Sequence, residues 1–291
     1  MKQYEWMVKY TPQTEWIEGR GILFWLAFFF IELGAGMFLI SSIFGVILGE
    51  FIGWLICAGL GGGLHLLYLG RPSRFYRIVL RPQSSWISRG LIFIAMFLTL
   101  GMVHIALSLW ATAPIALLVI VNIMAFLTII YGGFTMSYIS AIPLWNSALL
   151  PVMYVVAGIW GGAELTVGIV LTNGGLVELG PGMEELIRLL LIAFIIIVGT
   201  YLIGVRYGSA TGAISVRGIV LGQWKLFFWV IVVALGILLP LGVAIANFVA
   251  EAIPRVFLWA SIFLGLFGDL TLRYLILKNG FYSPLVPSSH L

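Results

Sequence analysis

Residues 21–47 read GILFWLAFFFIELGAGMFLISSIFGVI, an apolar run that contains a single charged residue, Glu32. A helix of about 20 such residues is long enough to cross the hydrocarbon core of a bilayer, so this stretch predicts a transmembrane helix. Comparable runs predict seven further spans, near residues 51–70, 90–110, 114–140, 148–172, 185–205, 224–248 and 255–277.

The composition of the whole chain agrees with this interpretation. Of its 291 residues, 62% are hydrophobic and 9% are charged, whereas soluble domains are about 45–50% apolar and about 25% charged. A water-soluble enzyme is therefore excluded. The predicted fold class is an all-α polytopic membrane protein, with eight transmembrane helices in two four-helix halves that form one membrane domain over residues 1–291. We expect a lipid bilayer around it and no nucleic-acid partner.

Resident metal cofactors are not expected in this chain. Cys57 is its only cysteine, and an iron–sulfur cluster needs about four thiolates. Two histidines on facing helices can hold a haem, but helix rise places His65 about 7 Å and His104 about 22 Å below the same membrane face. That offset argues against a shared haem iron. For His104 we expect a hydrogen-bonded role in the core.

Charge is distributed unequally between the two membrane faces. An even number of spans places both termini and the loops after spans 2, 4 and 6 on one side, which we call face A; the other side is face B. Face A carries Arg71, Arg74, Arg77, Arg81, Arg89, Arg206, Arg217 and Lys225, and face B carries Glu50, Glu178, Glu184, Glu185 and Glu251. The positive-inside rule places face A in the cytoplasm. A docking surface for an acidic partner gives the same bias.

The loop after span 2 reads LGRPSRFYRIVLRPQSSWISRG, from Leu69 to Gly90. Arginine binds carboxylates in a bidentate manner, so Arg71, Arg74, Arg77, Arg81 and Arg89 are candidates for docking a partner. This segment resembles the NrfD/PsrC-like family, the membrane subunits of polysulfide reductase and related respiratory complexes. Further matches follow in order: YGG and AIPLWNSALLP within 131–151, FFWVIVVALGILLP at 227–240 and LRYLILKNG at 272–280.

The resemblance implies an eight-helix subunit of the cell membrane that takes part in electron transport in anaerobic respiration. Such a subunit anchors a ferredoxin-like iron–sulfur subunit, itself paired with a molybdopterin-type catalytic subunit, and exchanges electrons with a membrane quinone such as menaquinone. No haem is implied. In familiar members the partners lie on the outer face against the basic-loop side, which opposes the positive-inside argument, so the sidedness of face A stays open.

Tyr131 matches the tyrosine that, in the family, donates a hydrogen bond to a quinone oxygen. A phenol suits this task because it is neutral and can donate to a carbonyl in an apolar pocket. Family members also carry an Asn and a His early in span 1, where alignment on LGAG places Phe24 and Ala27. Glu32 and His65 are candidate replacements. Alternatively, the quinone binds differently, or the subunit passes protons without a conventional quinone site.

Three acids lie within predicted spans, where a charge costs about 2.5–3.5 kcal/mol on insertion scales. Helix rise places Asp269, Glu32 and Glu164 roughly 12, 16 and 25 Å below face A, and the family pattern has small or apolar residues at these positions. They predict a proton path in which Arg273 and Arg188 set the local field. The alternative is structural pairing of Asp269 with Arg273 at i,i+4 and of Glu164 with Arg188.

Two other functions compete with quinone exchange. In the first, the protein is a quinone-independent proton-conducting or passive anchor of the same kind of complex. In the second, it belongs to a different class, the secondary transporters. A transporter predicts helices broken near the bilayer midplane at corresponding positions of two halves.

Overall fold

The computed structural model describes residues 13–172, 180–249 and 253–283, which are almost entirely helical. Within these ranges, eight helices are long and apolar enough to cross a membrane, and we number them spans 1–8 in chain order: Gly21–Ile43, Ile47–Tyr68, Trp86–Trp110, Ile115–Ser137, Leu149–Thr172, Gly182–Gly208, Phe227–Val249 and Arg255–Lys278. The prediction of an all-α polytopic membrane protein with eight spans is confirmed. Glu178 and Glu251 lie outside the described residues.

The turn between spans 1 and 2 is tighter than the sequence predicted. Gly45 has a φ of +70°, a left-handed conformation that glycine adopts without a steric penalty. Because the chain reverses there, span 2 begins at Ile47 instead of near residue 51. Glu50, which we expected in a face B loop, therefore lies in the first turn of span 2 and is buried; that expectation was wrong.

The connections on face A contain helical segments of their own. After span 2, Pro72–Leu80 forms a 3₁₀ helix, and the Ser85 hydroxyl then caps span 3 by accepting a hydrogen bond from the Ser88 amide. Span 3 consequently begins at Trp86, four residues before its predicted start, and Arg89 lies in its first turn. The connection after span 6 contains a short helix, Ala210–Val220, capped by Ser209.

The spans contact one another as two four-membered groups. Spans 1–4 pack in a ring, spans 5–8 pack in a second ring, and the rings meet where spans 1 and 4 contact span 5 and where span 1 contacts span 8. Spans 1 and 5 approach closely at glycines. A Cβ atom added to Gly36 would overlap the carbonyl of Gly158, and one added to Gly162 would overlap the backbone of Gly36.

Two spans depart from regular α-helical geometry without breaking. Span 2 contains π-helical turns at Ile56–Gly62, and span 7 contains them at Phe227–Leu238. Such turns insert extra residues and reorient the helix beyond them, often at functional sites. Each of the eight described spans is continuous, so the broken helices that a transporter predicts are not found in the described part of the protein.

Candidate functional site

A cavity of about 780 Å³ lies beneath face A among spans 1–4 and the 3₁₀ segment Pro72–Leu80. Its walls are mainly aliphatic and aromatic, and its polar side chains are those of His65, Tyr68 and Tyr131. Ligand pockets in proteins measure roughly 300–1,000 Å³ and combine apolar walls with a few placed polar groups. The cavity therefore has the size and chemistry to hold an apolar ligand with a small polar end.

Tyr131 is buried in span 4 and held in place by its neighbours. Its ring stacks on Phe28 of span 1 at 5.1 Å between centroids and lies 6.3 Å from the His65 ring. Gly90 leaves the room that the phenol ring occupies, because a Cβ atom at that position would overlap it. The structure thus brings together two of the three residues predicted to bind a quinone.

His65 has one ring nitrogen without a protein partner. Its Nδ1 atom lies 3.1 Å from the Gly61 carbonyl oxygen, and since a carbonyl can only accept, Nδ1 donates. In the neutral imidazole, Nε2 is then a hydrogen-bond acceptor. It is buried and has no hydrogen-bond partner among the described residues. A hydroxyl group in the cavity would satisfy it.

Span 1 contributes no polar group to this cavity. Phe24, one of the two span 1 positions where the resemblance implied a polar quinone ligand, lines the cavity. Ala27, the other position, is completely buried. Glu32, the third residue predicted to bind a quinone, does not line the cavity.

Glu32 instead joins a buried ionic cluster between spans 1 and 8. The Arg273 guanidinium donates to Glu32 Oε2 at 2.5 Å and to Asp269 Oδ2 at 3.0 Å. It also lies over the Tyr154 ring of span 5, 4.2 Å from the centroid. All four residues are at most 4% exposed. The i,i+4 pairing of Asp269 with Arg273 is confirmed as an ion pair.

The cluster carries more acid than base. Glu32 Oε1 and Asp269 Oδ1 have no hydrogen-bond partner among the described residues. When both carboxyl groups are ionised, the buried cluster has one negative charge in excess, and one added proton neutralises it. A net buried charge is costly, so a proton bound by either carboxyl group would lower that cost. Its free Oε1 atom lies against Gly132, the residue that follows Tyr131.

Glu164 and Arg188 lie apart from this cluster, toward face B. Both line a small cavity of about 70 Å³ among spans 5–8, together with Asn247 and Ser261. The ion pair between them, which was the structural alternative to a proton path, is not found among the described residues. The Arg188 guanidinium lies instead over the Phe248 ring at 4.5 Å, so that alternative was wrong for this pair. Glu164 is nevertheless buried.

His104 is bonded to Glu50, the acid that was expected in a loop. Its Nε2 atom lies 3.0 Å from Glu50 Oε2, and both residues are buried between spans 2 and 3 near face B. The expectation of a hydrogen-bonded core histidine is confirmed. Among the described residues, no group of three or more His, Cys, Asp or Glu side chains is arranged to hold a metal ion.

The basic loop forms the roof of the cavity. Phe75, Ile78 and Val79 line the cavity from the 3₁₀ segment, whereas the neighbouring arginines Arg71, Arg74, Arg77 and Arg81 are exposed. Arg89 differs from these four. It donates to the carbonyls of Pro82 and Gln83 and stacks on Trp86, so it orders the loop from within.

Two contacts of the site were not predicted from the sequence: that of Tyr154 with Arg273 and that of Phe28 with Tyr131. Tyr154 follows the AIPLWNSALLP stretch, where an aromatic residue is typical of the membrane interface. Phe28 lies in an unbroken apolar run. The sequence held one indication that Phe28 lies near the site: Phe28 and Glu32 are four residues apart and share a helix face.

The protein matches the family model described as polysulphide reductase, NrfD, over residues 20–284. It belongs to the polysulphide reductase NrfD family. It is 27% identical over 168 residues to the NrfD homolog of Haemophilus influenzae, covering 56% of this protein and 51% of that one. It is 29% identical over 160 residues to the C subunit of the polysulfide reductase of Wolinella succinogenes, covering 52% and 49%. The match thus spans about half the length of these curated relatives.

Proposed function

We propose that this NrfD-family protein is the membrane subunit of a respiratory oxidoreductase complex and exchanges electrons between a docked iron–sulfur subunit and a membrane quinone. The observation that carries the proposal is the apolar cavity that holds His65 and Tyr131 directly beneath the basic 3₁₀ segment. Its occupant is a quinone of the menaquinone type. A molybdopterin-type catalytic subunit binds to the iron–sulfur subunit and determines the terminal donor or acceptor.

The two polar residues of the cavity suit the two ends of the redox reaction. The Tyr131 hydroxyl donates a hydrogen bond to a quinone carbonyl, and the free Nε2 atom of His65 accepts one from a quinol hydroxyl. Reduction of the quinone consumes two electrons and two protons and gives the quinol. Oxidation of the quinol releases both again.

Electrons reach the cavity through the partner that docks on face A. The exposed guanidinium groups of Arg71, Arg74, Arg77 and Arg81 attract the carboxylates of an acidic iron–sulfur subunit. The same segment roofs the cavity with Phe75, Ile78 and Val79. Docking on one side of this segment therefore brings a cluster close to a quinone on its other side.

Protons travel through the buried acids. The Oε1 atom of Glu32, which has no hydrogen-bond partner among the described residues, lies beside Gly132, the residue after Tyr131. The Glu32–Arg273–Asp269 cluster gains or loses one proton as the quinone reacts. Glu32 also packs against Gly158 in span 5. Glu164 follows Gly158 by six residues, about 9 Å along the helix axis, and continues the path into the small cavity toward face B, where Arg188 sets the local field.

A passive anchor is the second candidate, and one observation favours it. Asp269 and Glu32 are both paired with Arg273, as a purely structural cluster requires. Proteoliposomes that contain the whole complex separate the two functions. Quinone turnover coupled to a pH change inside the vesicles supports the proposed function. The absence of both quinone turnover and a pH change, while artificial donors still react with the soluble subunits, supports the passive anchor.

The proposed site is tested with Tyr131→Phe and Glu32→Gln in the assembled complex. Each variant removes a hydroxyl or a charge with little change in volume, and each should lose most quinone-coupled turnover while artificial donors still reduce or oxidise the soluble subunits. Matched controls are Tyr138→Phe and Glu185→Gln, since both residues are exposed and neither lines either cavity. Quinone-coupled turnover that is unchanged in both test variants would overturn the assignment.

A further inference from the structure

Spans 2 and 3 are held together toward face B. The Trp54 indole of span 2 donates to the Leu98 carbonyl of span 3 at 2.8 Å. One turn further toward face B, Glu50 is bonded to His104 at 3.0 Å. Both contacts are made by Ile47–Leu55, the α-helical first part of span 2.

Toward face A the two spans separate. The π-helical turns at Ile56–Gly62 reorient the end of span 2, and Gly63–Tyr68 makes few backbone contacts with span 3. Gly62 lines the cavity, and a Cβ atom added to it would meet only the Cys57 carbonyl of its own span, at 3.6 Å. The space between the spans is therefore open on this side.

The cavity reaches the outer surface of the bundle through this gap. Leu66 of span 2 and Ile87 and Met96 of span 3 line the cavity, yet they are 55%, 48% and 42% exposed. Ala95 also lines the cavity and is exposed. All four are apolar and belong to membrane spans, so the opening faces lipid, whereas Phe75 and Ile78, which are only partly exposed, cover the cavity on the side of face A.

We propose that the gap between spans 2 and 3, bounded by Leu66, Ile87, Ala95 and Met96, is a lateral portal through which a quinone enters from the bilayer and in which its isoprenoid tail lies. This inference rests on the proposed function. The portal has no polar side chain among these four residues, so it suits the tail and not the ring. The ring continues inward to His65 and Tyr131, the polar end of the same cavity.

The portal is tested by narrowing it in the purified protein, reconstituted in nanodiscs. Ala95→Trp places an indole at the mouth. Ala106→Trp is the matched control, because Ala106 lies three helical turns away on the same face of span 3, is exposed, and does not line the cavity. The ligands are 2-methyl-1,4-naphthoquinone and the same ring with a long isoprenoid tail.

The portal predicts that Ala95→Trp raises the Kd of the tailed quinone by about tenfold or more and changes the Kd of the tail-less ring by less than about twofold. Ala106→Trp should resemble the wild type with both ligands. Retained binding of the tail-less ring shows that the variant is folded. If Ala95→Trp binds the tailed quinone like the wild type, the portal is wrong while the quinone site stands. If the wild type binds neither ligand, the proposed function fails.

A second measurement locates the tail directly. A quinone with a photoreactive group at the end of its tail should label residues of spans 2 and 3 around Leu66, Ile87 and Met96. Spans 4 and 5 form another groove near face A, lined by Ala148, Pro151 and Val155. Labelling confined to that groove or to any other surface overturns the portal.

Discussion

Replacing Arg273 by methionine tests the buried cluster that joins spans 1 and 8. Arg273 is 2% exposed and bonds Glu32 and Asp269, which are 0% and 4% exposed. Removing one partner of a buried ion pair costs about 3–5 kcal/mol, because a charge is left without compensation. Here two carboxylates lose the same partner, and the cation–π contact with Tyr154 is lost as well, so we expect a loss at the upper end of that range.

The assay is reversible unfolding in mixed micelles, and a second variant provides the control. The triple variant Glu32→Gln, Asp269→Asn, Arg273→Met removes all three charges together. Because replacing a whole buried ionic group is often neutral or stabilising by about 1–4 kcal/mol, it should recover most of the stability that Arg273→Met loses. A free energy of unfolding for Arg273→Met within about 1 kcal/mol of the wild type, or a triple variant no more stable than Arg273→Met, would contradict this role of Arg273.

The same triple variant separates the two candidate functions. It keeps the shape of the cluster but holds no exchangeable proton there. A proton path through Glu32 and Asp269 predicts that a stable triple variant supports little quinone-coupled turnover. A passive anchor has no quinone-coupled turnover to lose, so it predicts that the wild type and the stable triple variant behave alike in this assay.

Two further predictions concern helix contacts and docking. Gly162→Ala should lower the folded yield, and should lower the free energy of unfolding by about 1–3 kcal/mol or more, because its Cβ atom would overlap the backbone of Gly36. The control is Gly63→Ala, where the space is open. Equal stabilities of the two variants in the same unfolding assay would contradict the helix contact. The double variant Arg74→Glu, Arg77→Glu should release the iron–sulfur partner at lower salt during co-purification, whereas Arg255→Glu, an exposed residue at the opposite face, should not. Equal retention in both would exclude this docking surface.

The number and order of the spans could be predicted because each apolar run is long and bounded by charges or turns. Their ends could not always be predicted. Ile43–Ile47 is apolar throughout, so hydropathy alone continued span 1 through a turn that depends on the left-handed conformation of Gly45. Glu50 was misplaced for the same reason. Its contact with His104 crosses between two spans and leaves no local pattern in the sequence.

The candidate site shows the same limit. Asp269 and Arg273 could be paired from the sequence because they are one helical turn apart. Arg273 and Glu32 are 241 residues apart, and only the packing of span 1 against span 8 brings them together. The pairing of Glu164 with Arg188 was inferred because both lie at a similar depth in the membrane. Depth does not specify the direction in which a side chain leaves its helix, and the Arg188 side chain lies over the Phe248 ring. Depth also could not reveal that Glu32 lies outside the cavity that Tyr131 lines.

The ring of the proposed quinone binds between His65 and Tyr131, and photolabelling by that ring is the most direct test of this site. A naphthoquinone with a photoreactive group on the ring is bound to the wild-type protein in nanodiscs and illuminated, and its adducts are mapped. We expect saturable adducts on spans 2 and 4 within reach of His65 and Tyr131, which unlabelled quinone reduces and Tyr131→Phe weakens. Adducts that do not saturate, or that fall outside this cavity, would contradict it.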